Sequence, residues 1–222
     1  MIVTIPDILA FDATKLVRAK AKSMRFVDGG ATAGKFARAV KNNQQLEPGP
    51  ETEKLQHSIL EAVRANLTFE MAARPKIIKP PLVARYEPGM EYGTHVDNAL
   101  MSGRPPIRSD MSFTLFLEDP DKYDGGELVI EGMLGTQEIK LPPGALVLYP
   151  TSALHHVAPV TRGQRLVAVS WVQSLIRDPA QRELLFDLET ARRTLFDSHG
   201  KTAEFDLVSK SFHNLLRMWA EI

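Results

Sequence analysis

Asp124-Gly125-Gly126-Glu127-Leu128-Val129-Ile130 is followed by Thr136–Leu141, then by Pro142-Pro143-Gly144 and Ala145-Leu146-Val147-Leu148-Tyr149. Each run is short, rich in β-branched and apolar residues, and bounded by Gly or Pro, as expected of antiparallel strands joined by turns. The same texture extends outward to Leu82–Tyr86 and Met111–Leu117 before it and Arg165–Trp171 after it, with Glu87-Pro88-Gly89 as a further turn. No helical pattern of roughly 10–15 residues intervenes, which argues against a parallel α/β sheet. The spacing predicts an all-β sandwich or barrel from about Lys79 to Trp171.

The flanks read as helix. Asp12 is a candidate cap for a helix carrying Leu16, Val17 and Met24, broken by Gly29-Gly30. A second helix follows Pro50, with Leu55, Ile59, Val63 and Leu67 on one face. At the other end, Asp178, Pro179 and Gln181 form a capping-box start. Leu184, Leu185, Leu188, Ala191 and Leu195 then make one apolar stripe. Phe205, Val208, Phe212, Leu215 and Trp219 make another after Gly200. The predicted class is mainly β with flanking helices (α+β). It divides into a helical buttress over residues 1–78, a β core over 79–173 and a C-terminal helical hairpin over 174–222. That hairpin offers an apolar surface for packing on the core or for a homo-oligomer.

Composition narrows the chemistry. The 222 residues contain no Cys, so disulfide scaffolds, thiolate zinc sites, iron–sulfur clusters and a cysteine nucleophile are excluded. Any metal must be held by His, Asp or Glu. Lys plus Arg total 27 against 27 Asp plus Glu, which argues against an electrostatic grip on nucleic acid or anionic lipid. No apolar run approaches the roughly 18 residues of a membrane span. Met1–Phe11 has neither a cationic lead-in nor a small-residue cleavage site, so a cytoplasmic protein is expected.

His95 and Asp97 are two apart. On extended backbone, such residues project from one face and can reach one metal ion, whereas on a helix they would diverge. A further His lies in Leu154-His155-His156-Val157, some 58 residues beyond Asp97. Two imidazoles and one carboxylate on neighbouring strands form the facial arrangement that leaves positions open on a non-haem Fe(II) ion. The residues alone do not choose between His155 and His156. Arg165 opens a strand that otherwise reads as buried on both faces, so its guanidinium needs an anion, and its planar fork suits a carboxylate. Trp171, six residues on, shares its face.

These residues resemble the signature of the Fe(II)/2-oxoglutarate-dependent dioxygenases, in the prolyl and lysyl hydroxylase-like branch. That signature is His-x-Asp, then a distal His followed by Pro four, Gly eight and Lys or Arg ten residues later, as in His155, Pro159, Gly163 and Arg165. The resemblance selects His155 as ligand and leaves His156 as its neighbour. A closer similarity is to bacterial PKHD-type hydroxylases, a branch associated with iron uptake. It is carried by Asp28–Gly34, Val40-Lys41-Asn42-Asn43, Arg85–Met90, His95–Ala99, Ser112–Leu117, Asp124–Leu128 and Pro159–Gly163.

The resemblance implies a double-stranded β-helix (jelly-roll) core. It implies Fe(II) on His95, Asp97 and His155, and 2-oxoglutarate chelating that iron with its far carboxylate on Arg165. Tyr86 or Tyr92 would add a hydrogen bond to the co-substrate, and Trp171 would wall the pocket. Dioxygen and an unidentified peptidyl or small-molecule substrate would be the partners, and L-ascorbate the reductant. From the residues themselves, Asn98–Asp110, which follows His95 and Asp97 directly and holds a Gly, two Pro and two Arg, is a candidate lid over the substrate entrance. Gly-rich Asp28–Asn43, with Lys35, Arg38 and Lys41, is a candidate opposite rim. The rival readings are a non-catalytic metal-binding barrel and a metal-dependent hydrolase or isomerase on a cupin-like barrel. The latter would usually add another His or Glu ligand.

Overall fold

The computed structural model describes every residue except Arg104, Met133 and Leu134. Mainly β with five helices, it holds two principal antiparallel sheets. The larger has eight strands. In pairing order they are Val3–Ile5, Leu146–Pro150, Met111–Phe116, Arg165–Ser174, Leu82–Tyr86, Gln44–Leu46 and Phe26–Asp28, with Pro75–Ile78 also on Arg165–Ser174. The smaller runs Gly135–Ile139, Leu128–Gly132, His155–Val157, Glu91–His95 and Lys41–Asn42. Leu128, Ile130 and Val157 of the small sheet share one apolar core with Tyr86, Phe116, Val147 and Val167 of the large one. The two sheets therefore close a jelly-roll sandwich on its inner faces.

Residue parity assigns each face. Along Arg165–Ser174, Val167 enters the inter-sheet core while Leu166, Ala168 and Val172 enter a second core on the outer face. Helices α1 (Phe11–Lys22), α2 (Pro50–Ala65) and α3 (Leu67–Ala73) cover that outer face with Val17, Leu55, Ile59, Val63 and Phe69. Phe69 meets Phe113 edge-on at 5.7 Å. Burying each such side chain contributes about 1.5–3 kcal/mol. Helices α4 (Pro179–His199) and α5 (Ala203–Trp219) pair with each other and enclose Leu185 and Phe212. Leu184 and Ala191 of the predicted stripe face solvent.

Several local expectations change. Residues 1–78 are not only helix and connector, because Val3–Ile5, Phe26–Asp28, Gln44–Leu46 and Pro75–Ile78 complete the large sheet and Lys41–Asn42 edges the small one. These strands are two to four residues long and hold polar pairs such as Gln44-Gln45, so they show no period-two pattern. Asp12 does not cap α1. Ala10 occupies the cap position and Asp12 sits in the first turn, where its charge complements the helix dipole. Leu67 leaves the α2 stripe because the Asn66 side chain accepts the Phe69 N–H at 3.0 Å and starts α3 in a new phase. Asp178 caps α4 as expected, accepting from the N–H groups of Ala180 and Gln181.

Gly163 shows why glycine stands at its position in the sequence register. Its φ is +72°, and a Cβ there would sit 2.0 Å from the Lys122 carbonyl oxygen in the Tyr123–Gly125/Val160–Gly163 pairing. Gly163→Ala is expected to cost about 2–4 kcal/mol, combining backbone strain with a backbone clash. An unchanged urea midpoint would contradict this.

Candidate active site

The small sheet positions the cluster. His95 ends the Glu91–His95 strand, and its antiparallel partner residue is His155, so two imidazoles from distant sequence face each other with ring centroids 4.3 Å apart. Asp97, just beyond the strand end, has one carboxylate oxygen 4.0 Å from His95 Nε2 and the other 3.8 Å from His155 Nε2. One ligand atom from each of the three lies within 4.8 Å of the others. His95 Nδ1 is 2.9 Å from the Gly93 carbonyl and His155 Nδ1 is 3.0 Å from the Ala153 carbonyl. Each Nδ1–H donates there, which fixes the tautomer and leaves both Nε2 lone pairs aimed at Asp97. Burial, reinforced by His155, lowers the His95 pKa to about 4, so the ring is neutral and ready to bind a cation.

The Ser112 hydroxyl donates to Asp97 Oδ2 at 2.6 Å. It holds the carboxylate in place and occupies one of its lone pairs. Ser112→Ala is expected to weaken divalent-metal binding about 10- to 100-fold, the usual cost of removing such a support. Calorimetric titration with Mn(II) checks this, and an unchanged affinity would refute the role.

The cluster opens into a cavity of about 420 Å³ whose walls include Tyr86, Tyr92, Tyr149, Trp171 and Arg165. Arg165 is 1% exposed, and its Nε and Nη1 have no hydrogen-bond partner. Its guanidinium lies over the rings of Tyr86 and Phe116, 5.0 and 5.6 Å from their centroids. Gly126, at φ +69°, leaves room for the stem: a Cβ there would come within 2.9 Å of Arg165 Cδ. A buried fork with open donors calls for an anionic ligand. Burial raises the pKa values of Tyr86, Tyr92 and Tyr149, so these phenols stay protonated as donors. Tyr92 stacks on His95 at 3.7 Å.

Of the residues singled out from sequence, His95, Asp97, His155, Arg165, Tyr86, Tyr92 and Trp171 all line this one cavity. His156 pairs with Val129 in the strand and is not part of the three-residue cluster. In the proposed lid, Leu100–Met101 pairs with Ile107–Arg108, and Met101 and Ser102 reach the cavity. Arg104 of that segment lies outside the described residues. On the opposite rim, Lys41 faces the cavity while Arg38 turns back to the Gly30 carbonyl. Ser112, Thr114 and Tyr149 escaped the sequence reading. Their signal was parity: Ser112 and Thr114 alternate along the buried Met111–Phe116 strand, and Tyr149 shares the inner face of Leu146–Pro150 with Val147.

The donor set suits iron. Two imidazoles and one carboxylate favour Fe(II) over softer ions, and among the described residues no other His, Asp or Glu joins them. A model of the 2OG-Fe(II) oxygenase superfamily matches residues 81–173, and one of the PKHD-type hydroxylase C-terminal domain matches 179–221. A PKHD-type hydroxylase of Synechococcus sp. (strain JA-2-3B'a(2-13)) is 54% identical over 224 residues, covering 100% of both chains.

The chain belongs to the PKHD-type hydroxylases of the 2OG-Fe(II) oxygenase superfamily.

It is thus an enzyme of a family that uses Fe(II) and 2-oxoglutarate. The PKHD-type hydroxylase of Maricaulis maris (strain MCS10) is 56% identical over 196 residues, 88% of each chain. The fold matches that of the viral collagen prolyl hydroxylase from Paramecium Bursaria Chlorella virus-1, solved with 2OG. The TM-score is 0.56 at 19% identity, over 78% of this chain and 96% of that one. No helix among the described residues is long and apolar enough to cross a membrane.

Proposed function

We propose that this PKHD-type hydroxylase adds one oxygen atom of O₂ to a carbon of its substrate while 2-oxoglutarate is converted to succinate and CO₂, with His95, Asp97 and His155 holding Fe(II). The observation that carries this is the partnerless Nε and Nη1 of buried Arg165, in the same cavity as the three ligand residues. A site that only stored metal would have no use for that fork. Bound iron supplies the centre at which dioxygen is reduced and oxidising power delivered.

The chain's own residues do the rest. His95, Asp97 and His155 occupy one side of the ion and leave the other side to ligands. Arg165 pairs with the far carboxylate of the co-substrate and sets its direction, with Tyr86 as a neighbouring donor. Tyr92 buttresses the His95 ring, and Trp171, Tyr149 and Val157 keep the cavity apolar and water-poor. The residue-79 to residue-173 core carries this chemistry, with the N- and C-terminal segments as supports. The proposal also includes L-ascorbate as the reductant keeping iron ferrous, a cytoplasmic setting linked to iron uptake, and Asn98–Asp110 as a lid. It further includes self-association through the exposed Leu184, Phe196 and Leu207 of α4 and α5.

Succinate release from 2-oxoglutarate under Fe(II) tests the reading. Turnover is expected in the native chain and loss of it in His95→Ala. Equal turnover in both would refute the assignment, and Zn(II)-supported hydrolysis without succinate would favour a hydrolase instead.

A further inference from the structure

The cavity holds more positive charge than this chemistry uses. Among the described residues, its charged lining consists of Lys41, Lys79, Arg165 and Asp97 beside the two imidazoles. On the hydroxylase reading, Fe(II) and the dianionic co-substrate balance, and Arg165 balances Asp97. Two ammonium groups are left without counter-charge at the mouth of a low-dielectric cavity, where field is focused.

Lys41 is placed closer to the metal cluster. The Lys41–Asn42 strand pairs with Glu91–His95, and Lys41 lies opposite Tyr92, so the two side chains share a face. Tyr92 in turn stacks on His95. The ammonium lies 5.1 Å from the Tyr92 ring centroid and donates to the neutral Thr32 hydroxyl at 2.9 Å. Among the described residues no carboxylate forms an ion pair with it; burial lowers its pKa to about 8, with Asp97 and Asp28 opposing the shift through space, so it stays mainly cationic at neutral pH. An ammonium has three N–H groups, so further donors remain for a ligand. Lys79 is tied to the Ser102 carbonyl at 2.7 Å and likewise has no carboxylate partner among the described residues. The mouth is narrow: a Cβ on Gly34 would come within 2.9 Å of the Asn98 side chain, so the two rim segments already touch. Val96 on the cavity lining is an exposed apolar residue suited to an organic body.

We infer that the substrate is a small anionic molecule whose carboxylate or phosphate pairs with Lys41, which holds the carbon to be hydroxylated beside His95, Asp97 and His155. Lys41 is a specificity-determining residue and Lys79 a secondary attractor. The inference presupposes the hydroxylase reading.

The test uses the full chain with Fe(II), 2-oxoglutarate and a bacterial small-molecule extract split on an anion exchanger into retained and flow-through fractions. Mass spectrometry then follows gains of one oxygen atom. Oxygenated products are expected in the retained fraction. With Lys41→Gln they are expected to fall roughly tenfold or more, the effect of losing one favourable charge pair, and Lys41→Arg is expected to restore most of them. Calorimetry of the isolated parent compound on the metal-free protein is expected to show a similar loss of affinity in Lys41→Gln. Products in the flow-through alone, no product in either fraction, or unchanged binding in Lys41→Gln would overturn the inference. So would a Lys41→Gln effect confined to the KM for 2-oxoglutarate, since that would place Lys41 on the co-substrate. The native chain's succinate release without extract is measured in parallel. If that release is absent, the hydroxylase reading itself has failed, and if present, only the inference is at stake.

Discussion

Replacing Arg165 with Met is expected to raise the KM for 2-oxoglutarate by a factor from about 30 to about 4,000 while leaving the metal-free protein as stable as the native one or more so. Two opposite costs produce this split. On the proposed reading, the guanidinium would be one half of a desolvated charge pair once co-substrate is bound. Removing that half strands a carboxylate in an apolar cavity, at about 2–5 kcal/mol, with each ~1.4 kcal/mol worth a factor of ten. Without co-substrate, Nε and Nη1 are already buried and unpartnered, so the native chain carries a desolvation penalty that Met relieves. Met also keeps an unbranched stem against Tyr86 and Phe116, whose rings the guanidinium now covers. Arg165→Lys is expected to fall between, because the charge survives but the fork does not. Thermal unfolding and 2-oxoglutarate titration read the two effects separately. A large loss of stability in metal-free Arg165→Met would show that the fork serves the fold rather than a ligand.

The sequence exposed this site because Arg165 violates its surroundings. A charged residue opening Leu166-Val167-Ala168-Val169 contradicts the burial those neighbours demand, and such conflicts mark function. The jelly-roll core was legible for a related reason: strands such as Ala145–Tyr149 are long enough, and sharply enough bounded by turn residues, to declare themselves. What stayed hidden was local in sequence but non-local in cause. Gln44–Leu46 and Val3–Ile5 are strands only because Leu82–Tyr86 and Leu146–Pro150 offer open edges to pair with. Ser112 reads as an ordinary strand residue until Asp97 arrives beside it from 15 positions away. Lys41 was visible only as one of three rim cations. Which of them enters the cavity was decided by a two-residue pairing against Tyr92.

His155 and His156 form the sharpest contrast in the chain, since adjacent residues of one type are expected to differ completely in consequence. On the proposed ligand set, His155→Ala is expected to lower Mn(II) or Fe(II) affinity by at least about 10²-fold and abolish succinate formation, because one of the three candidate ligands found among the described residues would be lost. His156→Ala is expected to hold metal affinity within roughly threefold, with a stability change of about 1 kcal/mol or less. The difference arises from strand parity. In His155–Val157, His155 lies opposite His95 and turns its Nε2 toward Asp97, whereas His156 lies opposite Val129 and projects from the other face of the sheet. No conservative shift of register can exchange them, because sliding the strand by one residue would also turn buried Val157 to the face that His156 now occupies and expose its apolar surface. His156 Nδ1 is buried without a partner, so removing that ring loses no hydrogen bond and relieves an unsatisfied group. Metal titration of the two variants side by side decides the matter. Loss of binding in His156→Ala with retention in His155→Ala would reverse the strand's facing and, with it, the assignment of the whole cluster.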